Sequence, residues 1–559
     1  MVLRHLLRIF LLLTVAALAG PAALAVGYAA RPALTLEMDR PTPGALTGFY
    51  DGERVGEETF AWSQRQATMQ LPGLDRRGAW SCIVRLRGGR ANASLLPEVT
   101  FAVDGVMAIR HQTTNDFSDI RLTLAPRNGS GATITLNTNT FLPGAGDTRE
   151  LGVFVDRWTC APDPAFVPLP PRHVMRTAAI ATTAFGAVLL LMSAPATVFL
   201  TGVAAVAGAQ AIPLSRGLGP FSAFAVPIDW LAVALALALF ATLLLSRVTL
   251  RRSVSAAGRV ALFVTFGLLY LKLLALFHPS KLLVDALFHA HRLEWVLEGR
   301  YFFTQPMPSG VRFPYAIGLY VFAAPWTIVT TDLVSLLRIV VLAAEAAGAL
   351  LIYKLVARCW GDRVVAATAA AFYGLVPRTF EIVGNANLTN AFGQSAAIAA
   401  LAAATLLPLS QGKWKTWTCV MLLCAFALLC HISTLTLLGA ILATLVVLYR
   451  WFGRPPLRQE AWMIATALIV AGALAVVLYY SHFGDAFRSA ARVRATAGAA
   501  TTPTALPTPV FLTTRVADVA RVSVQSIGWP LVLLAMPGVV FWLRRGWRDR
   551  LGLAIAALT

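Results

Sequence analysis

The sequence predicts a polytopic α-helical membrane protein carrying an all-β domain near its N-terminus. Three observations predict it. Hydrophobic residues make up 57% of the 559 and charged residues only 13%, with a mean hydropathy of +0.67. So much apolar surface exceeds what a soluble core buries, and it implies solvation by lipid. The apolar residues also gather in long runs separated by short Lys/Arg clusters, whereas the region from about Leu34 to Cys160 lacks such runs and alternates instead. A net charge of +20 is of the size that attracts nucleic acid, but clusters placed between apolar runs follow the positive-inside bias. Membrane lipids, and no nucleic acid, are the partners this charge implies.

Residues 1–30 open with Arg4, His5 and Arg8, continue through LLRIFLLLTVAALAGPAALA, and end in small residues around Ala23-Leu24-Ala25. This is the layout of a secretory signal or of an uncleaved anchor helix, and either exports the region C-terminal to it. Residues 31–161 carry short alternating runs, among them TFAVDGVMAIRH, DIRLTLAP, ATITLNTNTFLPG and ELGVFVDRWTC, separated by Gly, Asn, Asp and Pro. That pattern predicts a β-sandwich of jelly-roll-like type. A sugar-binding role and a purely structural cap both fit it. Cys82 and Cys160 are the only cysteines in this polar region, and an exported domain favours a disulfide between them. Cys359, Cys419, Cys424 and Cys430 lie in or beside apolar runs and read as small buried hydrophobes. PDPAFVPLPPRH, residues 162–173, predicts a stiff proline-rich linker.

Residues 174–559 read as the multi-span domain. Val174 to Ile212 is longer than one span and predicts two short helices turning at Ser193-Ala194-Pro195. Further spans are expected at Ala223–Leu245, Val260–Phe277, Val334–Val356, Val364–Leu375, Asn390–Leu409, Thr416–Cys430, Thr434–Tyr449, Ala461–Tyr480 and Gly528–Trp542. Threaded in this order, the dense basic clusters fall inside, while Asp285, Glu294, Glu298, Glu381 and Asp485 fall on the exported side with the β domain. Phe313 to Thr330, broken by Pro314 and Pro325, is expected to lie in the interface. Leu551 to Thr559 begins a further helix, so the domain reads as incomplete at its C-terminus. Such a chain is an integral membrane protein with its β domain and site on the exported side.

The candidate site lies in HPSKLLVDALFHAHRLEWVLEGRYFFTQPMPSGVRFPYAIGLYVFAAPWTIVTTD, residues 278–332. A helix over Lys281–Leu297 places Asp285, His289 and Arg292 at i, i+4 and i+7 on one face. Asp285 suits a general base taking the proton from an acceptor hydroxyl, and its plain alternative is a solvated loop carboxylate. His289 would orient that acid or help hold a divalent metal ion, against a structural hydrogen-bond pair. Lys281, Arg292, Arg300 and Arg312 are phosphate clamps or headgroup anchors. Arg378, Glu381, Asn385, Asn387 and Asn390 form a polar group able to read sugar hydroxyls or complete an acidic site. His431, at a break in a long apolar stretch, marks an intramembrane or rim function. Tyr301 and Phe302 would stack on a sugar or anchor the loop.

The D-x3-H-x2-R spacing from Asp285, the G-R-Y turn at Gly299, the run PMPSGVRFPY and the segment LLRIVVLAAEAAGALLIYKLVARCWGDR resemble the GT-C superfamily of membrane glycosyltransferases. The resemblance covers about Val260 to Tyr449 and is closest to the polyprenyl- or dolichyl-phosphate-sugar mannosyltransferase type. It implies a GT-C-like helical domain, a polyprenyl-phosphate-sugar donor, and a glycan, lipid or protein acceptor. The family's loop acid maps onto Asp285. Many members add an adjacent second acid where this chain has Ala286, which leaves Glu381 as its partner. The rival readings are a transporter or flippase of lipid-linked glycans, with Glu345 and Lys272 as the main charges inside the spans, and a non-catalytic sugar-binding assembly protein.

Overall fold

The computed structural model describes residues 2–31, 33–39, 45–90, 95–144, 146–214, 229–249, 254–277, 281, 285–306, 312–407, 409, 414–489, 517, 518, 520–522 and 524–545. The second half of the PMPSGVRFPY run is described from Arg312. The incomplete helix expected at Leu551 to Thr559 lies outside the described residues. Two compact units divide the chain, Met1–Arg251 with Leu274–Leu282, and Arg252–Leu273 with Leu283–Thr559.

The first unit begins with helix α1, Val2–Ala29. Ten strands come next: β1 (Leu34–Glu37), β2 (Leu46–Phe49), β3 (Glu53–Val55), β4 (Glu58–Asp75), β5 (Trp80–Arg87), β6 (Glu98–Val103), β7 (Val106–Gln112), β8 (Ser118–Leu124), β9 (Ser130–Thr138) and β10 (Phe154–Pro162). They form one antiparallel sheet in the order β7-β6-β9-β4-β10-β5-β8, with β1 on β10 and β2 and β3 on β4. The expected sandwich is therefore one sheet wrapped nearly into a barrel. The cause is β4, which at 18 residues is long enough to serve both halves. Its Ala61 and Trp62 pair with Val155 and Phe154 of β10, while Gln66 to Leu71 pair with β9.

Alternation drives the closure. The residues of β5 bury strictly every second side chain, and these meet Phe101, Leu122, Ile134, Leu136 and Trp158 in a common core. Cys82 and Cys160 are register partners on adjacent strands and are joined by a disulfide, with Cα atoms 4.0 Å apart. Leu24 and Tyr28 of α1 belong to the same core, and the Tyr28 hydroxyl donates to Gly73 O at 3.0 Å. The proline-rich linker is fastened to the sheet, because Leu169 N donates to the Asp75 carboxylate at 2.7 Å. It ends where α2, Arg172–Leu191, begins. Helices α3 (Ala196–Leu214) and α4 (Asp229–Thr249) complete the unit. The turn between α2 and α3 has Ser193 at φ 54°, where the sequence placed it.

Among the described residues of the second unit the helices include α5 (Ala256–Leu276), α6 (Ala286–Leu297), α7 (Gly318–Ala323), α8 (Leu333–Trp360), α9 (Arg363–Leu375), α10 (Pro377–Gly384), α11 (Leu388–Leu406), α12 (Trp414–Leu428), α13 (Ile432–Phe452), α14 (Pro455–Leu478) and α15 (Trp529–Arg545). Two short strands that pair antiparallel, β11 (Thr304–Pro306) and β12 (Arg312–Pro314), lie between α6 and α7 in the chain. Among the described residues, six helices are long and apolar enough to cross a membrane: Leu6–Ala29, Arg172–Leu191, Asp229–Val248, Ala256–Leu276, Leu333–Arg358 and Pro455–Leu478. The segment expected in the interface is α7 followed by a 3-10 turn over Ala324–Ile328, too short to span and with Ile328 92% exposed.

Candidate functional site

Helix α6 positions the candidate residues, but it starts later than the sequence predicts. Asp285 is its N-cap residue, and the side chain makes no capping hydrogen bond. The carboxylate is exposed, while His289 and Arg292, one and two turns further on, are buried. The expected common face is thus a gradient from solvent into the unit.

The expectation that His289 orients Asp285 is corrected by its partners. Its Nδ1 lies 2.8 Å from the Tyr320 hydroxyl of α7, and the ring also hydrogen-bonds the Ala386 backbone. Ala386 stands between α10 and α11 at φ 57°. Burial pushes the His289 pKa down to about 4, so the imidazole is neutral near pH 7 and acts as a strut between three segments. Asp285 instead faces Tyr315, whose pKa is raised first by burial and also by the Asp285 charge. The Tyr315 hydroxyl lies 3.3 Å from Thr389 Oγ1, and the Tyr479 hydroxyl donates to Tyr315 O.

Arg292 is the most unusual group here. Its guanidinium carbon lies 4.0 Å from the Trp295 ring centroid, 4.8 Å from that of Phe288 and 4.9 Å from that of Phe303. Nη2 donates to Gln305 Oε1 at 3.3 Å, whereas the buried Nη1 has no hydrogen-bond partner among the described residues. Burial lowers the Arg292 pKa, yet a guanidinium remains protonated at any working pH. A buried cation with an unused donor is poised for an anion, since leaving that donor unmet costs about 1–3 kcal/mol. Gln305 and Phe303 follow α6 in the chain, so the segment after the helix folds back onto Arg292.

His431 joins this end of the unit. It sits in the turn between α12 and α13, close enough for its charge to act on His289, and burial lowers its own pKa. Two close contacts dock the turn. Ile317 N and Gly318 N donate to Leu429 O at 3.1 and 2.8 Å, and a Cβ at Gly393 of α11 would lie 3.0 Å from His431 Cβ and 2.5 Å from Thr434 Oγ1. Glycine alone leaves room there.

The other predicted residues are not drawn in. Glu381 is exposed and pairs with Arg378 at 2.8 Å, one turn away on α10. Arg300 is exposed and pairs with Glu298 at 3.2 Å. Arg312 and Asn385 are exposed, and Lys281 falls in the other compact unit. Among the described residues no three His, Cys, Asp or Glu side chains gather as a metal site. Sequence reasoning missed Tyr315, Tyr320, Thr389, Gln305 and Tyr479. The only signal for the tyrosines is their position flanking Gly318 and closing the Ala461–Tyr480 run.

No family model matches the chain, and no curated protein matches it. The β-sheet domain is similar to a family 35 carbohydrate binding module from Clostridium thermocellum, at 10% identity over 23% of this chain and 96% of that chain, with a TM-score of 0.17. A Podospora anserina GH26-CBM35 beta-(1,4)-mannanase matches at 11% identity over 24% of this chain and 28% of that chain, with a TM-score of 0.16. A Paenibacillus sp. cycloisomaltooligosaccharide glucanotransferase complexed with cycloisomaltoheptaose matches at 15% identity over 44% of this chain and 28% of that chain, with a TM-score of 0.15.

Proposed function

We propose that this chain is an integral membrane glycosyltransferase that moves a sugar from a polyprenyl-phosphate-linked donor to an acceptor on the exported face. The observation that carries the reading is the buried Arg292 guanidinium, walled by Phe288, Trp295 and Phe303 and holding an unused Nη1 donor. An aromatic-walled cation with a spare N–H suits a phosphodiester attached to an apolar chain. Asp285, exposed at the start of the same helix, is the base that meets the acceptor hydroxyl. His289 and Tyr320 fix the helix between them. The six long apolar helices and the buried disulfide of the β domain support membrane insertion with that domain exported, as in a bacterial inner membrane.

The test is transfer itself. Purified full-length protein in lipid is incubated with radiolabelled polyprenyl-phosphate sugars and a membrane extract as acceptor. Label moving from donor to acceptor is expected, and donors that bind yet never transfer would overturn the reading.

One observation favours a non-catalytic sugar-binding reading. Outside the main core, the β domain carries the half-buried rings of Tyr50, Phe141 and Phe154, with Arg90 4.0 Å over Phe141 and Arg87 4.7 Å over Phe154. Rings and guanidinium groups side by side can stack on pyranose faces and bond their hydroxyls. Glycan binding without transfer would favour it.

A further inference from the structure

One end of the β domain gathers the segments that lead to candidate membrane spans. The strand registers set Leu34 opposite Cys160, Trp80 opposite both Pro162 and Leu124, Asp75 opposite Ser130, and Val103 opposite Ile134. Helix α1, a candidate span, enters the sheet at this end, and β10 leaves it here toward α2, another candidate span. Tyr28 of α1 donates to Gly73 O at 3.0 Å, and Leu169 N of the linker donates to Asp75 at 2.7 Å. The bilayer surface therefore lies at this end if the spans insert.

The turn between β6 and β7 reaches the same end. Asp104 and Gly105 form it at φ 52° and 85°. The Asp104 carboxylate fixes it by accepting from Arg76 at 2.8 Å, Arg127 at 3.0 Å and Thr133 N at 3.0 Å. Immediately after it, Val106 is 72% exposed and Met107 56%. The charges around it are sorted by depth. The side chains of Asp75 and Asp104 are 6% and 15% exposed, whereas those of their partners Arg77 and Arg127 are 57% and 47% exposed. Arg31 and Arg172 are exposed as well, against an exposed Asp163. Aliphatic side chains ringed by guanidiniums match the layering of a phospholipid surface, acyl chains below and phosphates above.

We propose that the β6–β7 turn docks the β domain on an anionic phospholipid bilayer, with Val106 and Met107 among the acyl chains and Arg77 and Arg127 on the phosphates. The domain is then held to the membrane by this turn as well as by α1 and the linker, which fixes its orientation. The inference stands apart from the transferase reading, because it concerns residues that reading does not use.

Fluorescence quenching tests it. Full-length protein carrying Met107→Cys is labelled with NBD and placed in nanodiscs, and the signal of unaltered protein treated alike is subtracted. Leu142→Cys serves as the reference, since Leu142 is 65% exposed and lies past the far end of β9. Retention of the Cys82–Cys160 bond, read by non-reducing mass spectrometry, checks that both labelled proteins are folded. Emission from position 107 should be blue-shifted and quenched by lipids bearing a nitroxide high on the acyl chain, and emission from position 142 should be neither. A guanidinium near an anionic surface strengthens binding by about fivefold, so quenching at 107 should rise when phosphatidylglycerol is added to phosphatidylcholine discs. Water-like emission at 107, or equal quenching at 142, would overturn the assignment. So would a blue shift without nitroxide quenching, the mark of a protein covering the turn, or quenching indifferent to phosphatidylglycerol.

Discussion

At the scale of single residues, Asp285 and Arg292 divide the proposed chemistry, and their substitutions separate it. Asp285→Asn keeps the size of an exposed side chain and removes its charge. Turnover should fall by about 10² or more, with thermal stability unchanged. Arg292→Lys keeps a charge and loses the fork, so KM for the donor should rise while kcat changes less. Steady-state kinetics on both variants checks the split, and a near-normal rate for Asp285→Asn removes it as the base. His289 gives a third expectation. Its folded pKa of about 4 lies below the unfolded value, so the unfolded chain binds the extra proton between about pH 6.5 and 4. Stability is therefore full above about pH 6.5 and falls as the pH drops toward 4, by up to about 3 kcal/mol. Melting curves at pH 7.5 and 5.0 should show this slope, and His289→Gln should flatten it.

At the scale of elements, the packing of α1 separates its two sequence readings. A Cβ at Gly20 would lie 2.5 Å from Ala178 O of α2, so the two backbones touch. Gly20→Val should loosen this contact by about 1–3 kcal/mol, whereas Gly208→Ala on α3, with nothing within 4 Å, should be neutral or better. Thermal unfolding of the two variants compares them. The disulfide belongs here too: Cys82→Ala with Cys160→Ala opens a loop of 78 residues and should cost about 2–5 kcal/mol. Much of this level was legible in the sequence. Period-two alternation located β6, β7, β8, β9 and β10, and hydropathy located α2, α5, α8 and α14, because both signals are local. The start of α6 was misplaced, since the apolar run through Leu282, Leu283 and Leu287 continues the helical period past Asp285. Neighbours of Arg292 on its own helix, Phe288 and Trp295, are set by spacing. The partners of His289 are not, as Tyr320 is 31 residues away and Ala386 farther still. Only the folded chain brings them together.

At the scale of the whole molecule, α1 is built into the core it precedes, through Leu24 and Tyr28. The protein isolated from membranes should therefore retain its first thirty residues, which intact mass measures directly. It should also resist alkaline carbonate extraction. A mass beginning after Ala25, or release by carbonate, would contradict these expectations.

The place of β10 carries a consequence for timing. The last strand of the β domain is the one that β1, β4 and β5 all pair with, and α2 comes within about ten residues of it. During synthesis nothing upstream of Phe154 can close the sheet. On the proposed topology the emerging domain waits unfinished through its export, and the ribosome is already making the next helix when the final strand arrives. Folding of the domain and entry of α2 are thus one event in time. Ribosome-arrested chains ending before Phe154 should be protease-sensitive, with Cys82 still reduced, and chains extended beyond α2 should resist digestion.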